Sequence, residues 1–189
     1  MRVLLVSGYK SFELGISSNK HDAVKYIKKA IKNKILSYID DGLEWIIISG
    51  QMGIELWAAE VVFELQLEYP HLQLAVFTPY EDQDKNWNEA NKLYYEEILA
   101  QADHVDSISR KPYESPAQLK AKNEFLISKS EGCILLYDTE KEGSPKYLYD
   151  LAIRKKELNQ YSIDLVTFDD LQVIAEEFIE NDANDYREL

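Results

Sequence analysis

The chain reads as α/β, a single-domain, doubly wound, mostly parallel sheet with helices on both faces. Three observations predict this. Short apolar runs alternate with segments of helical periodicity along the whole chain, with no internal repeat, low-complexity tract or linker. The 189 residues are 46% hydrophobic and 12% aromatic, enough for one real core. And the run Trp45-Ile46-Ile47-Ile48 empties into Ser49-Gly50-Gln51-Met52-Gly53, after which Ile54, Trp57, Ala58, Val61, Val62 and Leu65 fall on one helical face.

In chain order, Val3 to Ser7 reads as the first strand rather than a signal segment, because no cleavage region follows. A helix is expected over 20–40, ended by Asp41-Gly42, with Val24, Ile27, Ile31 and Ile35 inward and Lys25, Lys28, Lys29, Lys32 and Lys34 on a solvated face. Strand two covers 44–49, helix two 53–68 and strand three 72–77. Helix three, 89–102, turns Ala90, Leu93, Tyr94 and Ile98 inward, and a weaker strand covers 104–109. Ser115-Pro116-Ala117-Gln118 is a capping box with proline at the first helical position, opening a helix to about Ser130. Strand five covers 132–137, Ser144-Pro145 caps a helix to about Glu157, strand six covers 164–168, and Asp169 caps a last helix to about Ile179. Residues 1–180 form the domain, and 181–189 are expected as a frayed acidic tail.

Charge narrows the function classes. A net charge of −13 repels nucleic-acid phosphates unless a basic patch is concentrated, and the helix-one lysines and Arg154-Lys155-Lys156 read as solvated faces. No apolar run is long enough to cross a bilayer. Cys133 stands alone in an apolar run, so burial is expected, and the three histidines lack ligand spacing, so no metal site is expected. These features suit a cytoplasmic setting.

In a doubly wound sheet, ligands sit at the carboxyl ends of the strands, where strand order reverses. That places weight on four loops. Loop one offers Ser7, Gly8, Tyr9 and Lys10. Loop two offers Ser49, Gly50, Gln51 and Gly53, loop three Thr78, Pro79, Tyr80 and Trp87, and loop five Gly143, Ser144 and Lys146. Glycines let a backbone approach closely, and the positive end of a helix dipole favours an anion, so a phosphate-bearing ligand is expected, with main-chain amides at the start of helix two as its seat. Glu55 is either a first-turn acid stabilised by the dipole or a ligand for a ribose hydroxyl, and it is the candidate should there be catalysis. Tyr80 and Trp87 interrupt a polar loop and suit stacking on a base. Lys10 and Lys146 are the cations best placed to meet a phosphate, while Lys120 and Asn123 share a helix face and read as surface.

The segment from Ser49 to Glu60 resembles the "SG-x-x-x-GID-x-x-AH" word of the DprA/Smf proteins, which with the LOG-type nucleotide hydrolases form the SLOG superfamily of Rossmann-like domains. Almost the whole chain resembles the YpsA-like family of that superfamily, through Ser7-Gly8-Tyr9-Lys10 with Phe12-Glu13-Leu14-Gly15, Gly42-Leu43-Glu44-Trp45-Ile46, Gly53 to Glu60, Asn86-Trp87, Arg110 to Pro116, and Tyr137-Asp138 with Glu140 to Tyr147. The resemblance implies a Rossmann-like fold, a nucleotide-derived ligand or bound dinucleotide of NAD-like or ADP-ribose-like type, and a link to bacterial cell division with a protein partner. It leaves homo-oligomers open. LOG enzymes carry "PGG-x-GT-x-x-E". Here Glu142 to Asp150 lacks the paired glycines and the glutamate, though Asp150 is nearby.

Binding or sensing of a nucleotide derivative therefore ranks first. N-glycosidic hydrolysis ranks second, and DprA-like single-stranded DNA binding last. On the sequence alone, Gly53→Ala should weaken ligand binding without unfolding the protein, and Glu55→Gln should weaken it by removing a ribose acceptor.

Overall fold

The computed structural model describes residues 1–185, with side-chain surroundings through residue 180. Six strands, β1 (Val3–Gly8), β2 (Trp45–Ile48), β3 (Gln73–Tyr80), β4 (His104–Ser109), β5 (Gly132–Leu136) and β6 (Ser162–Val166), alternate with α1 (Asp22–Ile39), α2 (Ile54–Gln66), α3 (Glu89–Gln101), α4 (Pro116–Lys129), α5 (Pro145–Leu158) and α6 (Phe168–Asp185). All the pairings are parallel, in the order β4-β3-β2-β1-β5-β6. The chain winds outward from β1 to β4 and then returns to lay β5 on the other side of β1. The reversal, and the crevice it creates, lies between β1 and β5.

The helices divide between the faces. α1 touches α2 and α6, and α2 touches α3, whereas α4 and α5 touch each other and cover the opposite face. β1, β2 and β5 are sandwiched between these layers, so they read as unbroken apolar runs, and Leu4, Leu5, Ile46, Ile48, Ile134 and Leu135 are fully buried. Val24, Ile27, Ile31 and Ile35 line the inner stripe of α1 as expected. Cys133 is buried, and burial pushes its thiol up to about 12, so it packs as a small apolar side chain. Among the described residues no helix is long and apolar enough to cross a membrane.

Several local expectations change. β3 continues through Thr78, Pro79 and Tyr80 instead of ending at Phe77; Thr78 and Tyr80 pair with Ser107 and Ser109 of β4. β2 stops at Ile48 opposite Val76, so β3 has an open side beyond that point where a residue without an N–H is tolerated. In α3 Tyr95 and Ile98 are buried and Tyr94 packs against the core as expected, while Ala90 and Leu93 are exposed. The cap of α6 is Thr167, not Asp169: the Asp170 carboxylate accepts the Thr167 amide at 2.8 Å, and the Thr167 hydroxyl accepts the Asp170 amide at 3.3 Å. α6 also runs past Ile179 to Asp185, into the segment read as a frayed tail; 186–189 lie outside the described residues. Lysines of α1 are offset locally, Lys28 by Glu60, Lys32 by Glu64 and Lys34 by Asp164. In the second basic cluster, Lys155 turns inward to the Ser130 carbonyl at the end of α4.

Candidate functional site

Loop one leaves β1 and passes at once into a 3-10 turn, Ser11–Leu14; loop five leaves β5 and ends where α5 begins. Two side chains fasten them together across the crevice. Tyr9 is buried; its hydroxyl donates to the Lys141 carbonyl and accepts the Asp138 amide at 3.1 Å, and its ring stacks on Phe168 with centroids 5.7 Å apart. Glu13 accepts the Lys10 amide at 2.7 Å, the Ser144 amide at 2.7 Å and the Ser144 hydroxyl at 2.6 Å. Ser144 therefore spends its hydroxyl on Glu13 rather than on capping α5. Burial opposes the Glu13 charge, but the Ser144 hydroxyl, the two amides and Lys10 outweigh it and hold the carboxyl below its ordinary value.

A group with a depressed folded pKa stabilises above its unfolded value and loses that contribution as pH falls through the folded one. Glu13→Gln is accordingly expected to cost about 1–2 kcal/mol at neutral pH. The gap between wild type and variant should close as the pH drops below about 4. Parallel melting curves at neutral and acid pH check this; a pH-independent gap would contradict it.

Loop two is organised from within. Glu55, 3% exposed, accepts four hydrogen bonds: the Ser7 hydroxyl at 2.7 Å, the Ser49 amide at 2.9 Å, the Ser49 hydroxyl at 2.7 Å and the Gln51 amide at 3.0 Å. Three of the donors converge on Oε2, while Oε1 takes only the Ser7 hydroxyl. Glu55 is a first-turn acid of α2, and most of its bonding capacity is spent on the loop. It is an anion built into the loop, and two of the amides expected to meet a phosphate are bonded to it. The start of α2 is covered as well. Gly53, at φ +109°, lies against the main chain of Tyr9, Lys10 and Ser11, and the Ile54 amide points to the Tyr9 carbonyl at 3.4 Å. Gln83 completes the loop: it is buried, donates to the Ser49 carbonyl at 3.0 Å and the Tyr95 hydroxyl at 2.8 Å, and accepts from the Gln51 side chain at 3.1 Å.

Other expected ligand residues are placed differently. Tyr80 packs on Tyr113, Trp87 packs edge-on to Tyr95, and Thr78 is buried in β3. Lys146 is held on the surface by Glu142. Gly143 sits under the Tyr9 ring, which a Cβ there would meet at 2.8 Å. Gly8 lies between Ile54 and the Leu136 carbonyl. Lys10 is half-buried, with its ammonium over the Phe12 ring, 5.9 Å from the centroid, and in no ion pair among the described residues.

Sequence reasoning missed Lys122. It projects from α4, which packs on β1, β3 and β4, and it is 9% exposed. Among the described residues it makes no hydrogen bond and no ion pair. No sealed side-chain nitrogen or oxygen lacks a partner, so its ammonium still reaches solvent. Burial lowers its pKa, Glu55 raises it and Lys10 lowers it further, which places the ammonium near both loop one and loop two. A usable signal existed: Lys122 falls three after Leu119 and four before Leu126, in a stripe where an apolar residue is expected. Glu13 and Gln83 fall in loops that the sequence singles out, but their roles are not legible there because their partners lie far along the chain.

Comparison with known proteins follows the same outline. The model of the YspA SLOG family matches residues 4–171. A UPF0398 protein of Bacillus cereus strain B4264 is 57% identical over 183 residues, covering 97% of this chain and all of that protein. A UPF0398 protein of Bacillus thuringiensis strain Al Hakam is 56% identical over the same span. Among solved structures, DNA processing protein A from Helicobacter pylori, described for its single-stranded DNA binding mode, superposes with a TM-score of 0.52 over 94% of this chain and 81% of that one. At 16% identity that likeness speaks for the fold alone.

Proposed function

We propose that this chain, which belongs to the YspA SLOG family, binds an anionic nucleotide derivative of NAD-like or ADP-ribose-like type at the β1–β5 crevice. The observation that carries the reading is Lys122, a buried residue whose ammonium, among the described residues, forms no hydrogen bond or ion pair and feels the charges of both Glu55 and Lys10. Desolvating a charge that has no hydrogen-bond partner is costly, and a ligand phosphate would offset that cost. Ser7, Gly8, Ser49, Gly50 and Gln51 form the neighbouring wall, with Glu55 and Glu13 holding the loops in shape.

The role we assign is binding or sensing, with a protein partner reading the liganded state. The cytoplasm, and a cell-division partner, belong to this proposal. Hydrolysis of an N-glycosidic bond is disfavoured because the Glu55 carboxylate is buried and engaged by four donors of its own loops. Single-stranded DNA binding is disfavoured by the net charge of −13.

Calorimetric titration with ADP-ribose, NAD and AMP tests the reading. Lys122→Met is expected to weaken binding of the recognised nucleotide about 10–100-fold, the worth of one charge-assisted hydrogen bond. Its melting temperature should hold or rise, since an unpaired buried charge gives way to an apolar side chain of similar length. Equal affinities in wild type and variant, or no binding of any nucleotide tried, would overturn the proposal.

A further inference from the structure

On the face covered by α4 and α5, residues of both helices line a cavity of about 640 Å³. This volume falls in the range that small-molecule sites occupy. Its walls are apolar, with Leu119 from α4 and Leu151 from α5, and the Tyr147 ring stands at the mouth, 71% exposed. Polar groups converge on that apolar surface from both helices: Asn123 and Lys120 from α4, Asp150 and Arg154 from α5.

These polar groups are unspent. Among the described residues, the side chains of Asn123, Asp150 and Arg154 take part in no hydrogen bond or ion pair. Asp150 and Arg154 stand one helical turn apart, the spacing at which such residues commonly pair, yet they do not. Lys120 has only a long, exposed contact with Glu124 at 3.8 Å. A chain carrying a net charge of −13 thus presents a cation on each wall of an apolar groove.

We propose that the α4–α5 groove is a second ligand site, for a small aromatic anion. The ring lies between Leu119 and Leu151 and stacks on Tyr147. The acidic group is held by the Arg154 guanidinium, whose planar fork and weak hydration suit a carboxylate, sulfonate or phosphate, with Lys120 facing it. Asn123 meets the polar edge of the ring as donor and acceptor. The site is separate from the crevice: Lys122 faces the sheet, whereas Asn123, its neighbour in sequence, faces the groove.

The probe is 8-anilinonaphthalene-1-sulfonate, a flat aromatic anion whose fluorescence rises in apolar surroundings. Titration into the native protein should give saturable, one-to-one enhancement. Arg154→Ala and Tyr147→Ala should each weaken it about tenfold; both side chains are exposed, so neither change threatens the fold. The uncharged ring analogue N-phenyl-1-naphthylamine should bind at least tenfold less tightly. Lys122→Met should leave the dye affinity unchanged, which separates failure here from failure of the crevice proposal. Enhancement that does not saturate, equal binding of the neutral analogue, or unchanged affinity in both groove variants would overturn the assignment.

Discussion

Gly53→Ala should lower the melting temperature by roughly 10 °C or more and cost about 3–5 kcal/mol, whatever it does to ligand binding. The position demands glycine twice over. Its φ of +109° is a conformation that L side chains rarely adopt. A Cβ would also stand 2.5 Å from the Ser11 nitrogen and 2.9 Å from both the Lys10 carbonyl carbon and the Tyr9 oxygen. All three are main-chain atoms, so no rotamer change relieves the contact. Either loop one lifts away, breaking the Ser11 amide bond to the Met52 carbonyl at 3.1 Å, or the start of α2 shifts. A control separates contact from conformation. Gly15 also has positive φ, +68°, but nothing lies within 4 Å of its would-be Cβ. Gly15→Ala should therefore cost only about 1 kcal/mol. Thermal melts of both variants decide it; a Gly53→Ala protein melting within a few degrees of wild type would contradict the reading. The expectation formed on sequence, weaker binding on an intact fold, gives way because the turn is pressed against another loop, not open toward a ligand.

That difference marks where sequence was informative. The alternation of apolar runs and helical stripes carried the order of all six strands and six helices, because each pattern is local and each face must be buried. The Ser115–Gln118 capping box was legible for the same reason, with the Ser115 amide on the Gln118 side chain at 3.2 Å. Errors came where tertiary pairing overrides a local signal. Strand three is expected to end at Phe77 and Pro79 to lie in a loop, but β2 has already ended at that level, so β3 continues through Pro79 on an open side. In the crevice, the loops rich in glycine and small polar residues were found, yet what holds them was not. Glu13 reaches Ser144 across more than a hundred residues, and Gln83 reaches back to Ser49. Such contacts leave no spacing to read. The Glu13 and Glu55 carboxylates serve one purpose, engaging amide and hydroxyl clusters at helix starts, so the loops are ordered before any ligand arrives. The positive charge that a ligand would meet is supplied from a third element, α4, through Lys122.

Truncating Glu55 tests this division of labour most severely. Glu55→Ala should cost about 4 kcal/mol or more, since it strands the Ser49 and Gln51 amides and two hydroxyls in a buried cluster, each unsatisfied group carrying about 1–3 kcal/mol. Glu55→Gln should be much milder, about 1–2 kcal/mol. If the glutamine oxygen takes the place of Oε2, it still accepts both amides and the Ser49 hydroxyl. Its amino group then faces the Ser7 hydroxyl, which rotates to accept. What is lost is the charge assistance, not the bonding pattern. The same substitution removes the negative charge that raises the Lys122 pKa, so the ammonium becomes easier to deprotonate and its attraction for an anion is weakened only indirectly. Nucleotide affinity should therefore fall less in Glu55→Gln than in Lys122→Met. A carboxylate that gripped a ribose would give the opposite ranking, with glutamine abolishing binding while leaving the melting temperature untouched. Thermal melts of the alanine and glutamine variants, read beside calorimetric titrations of the glutamine and Lys122 variants, tell the two apart; an alanine variant as stable as wild type would rule out the structural role.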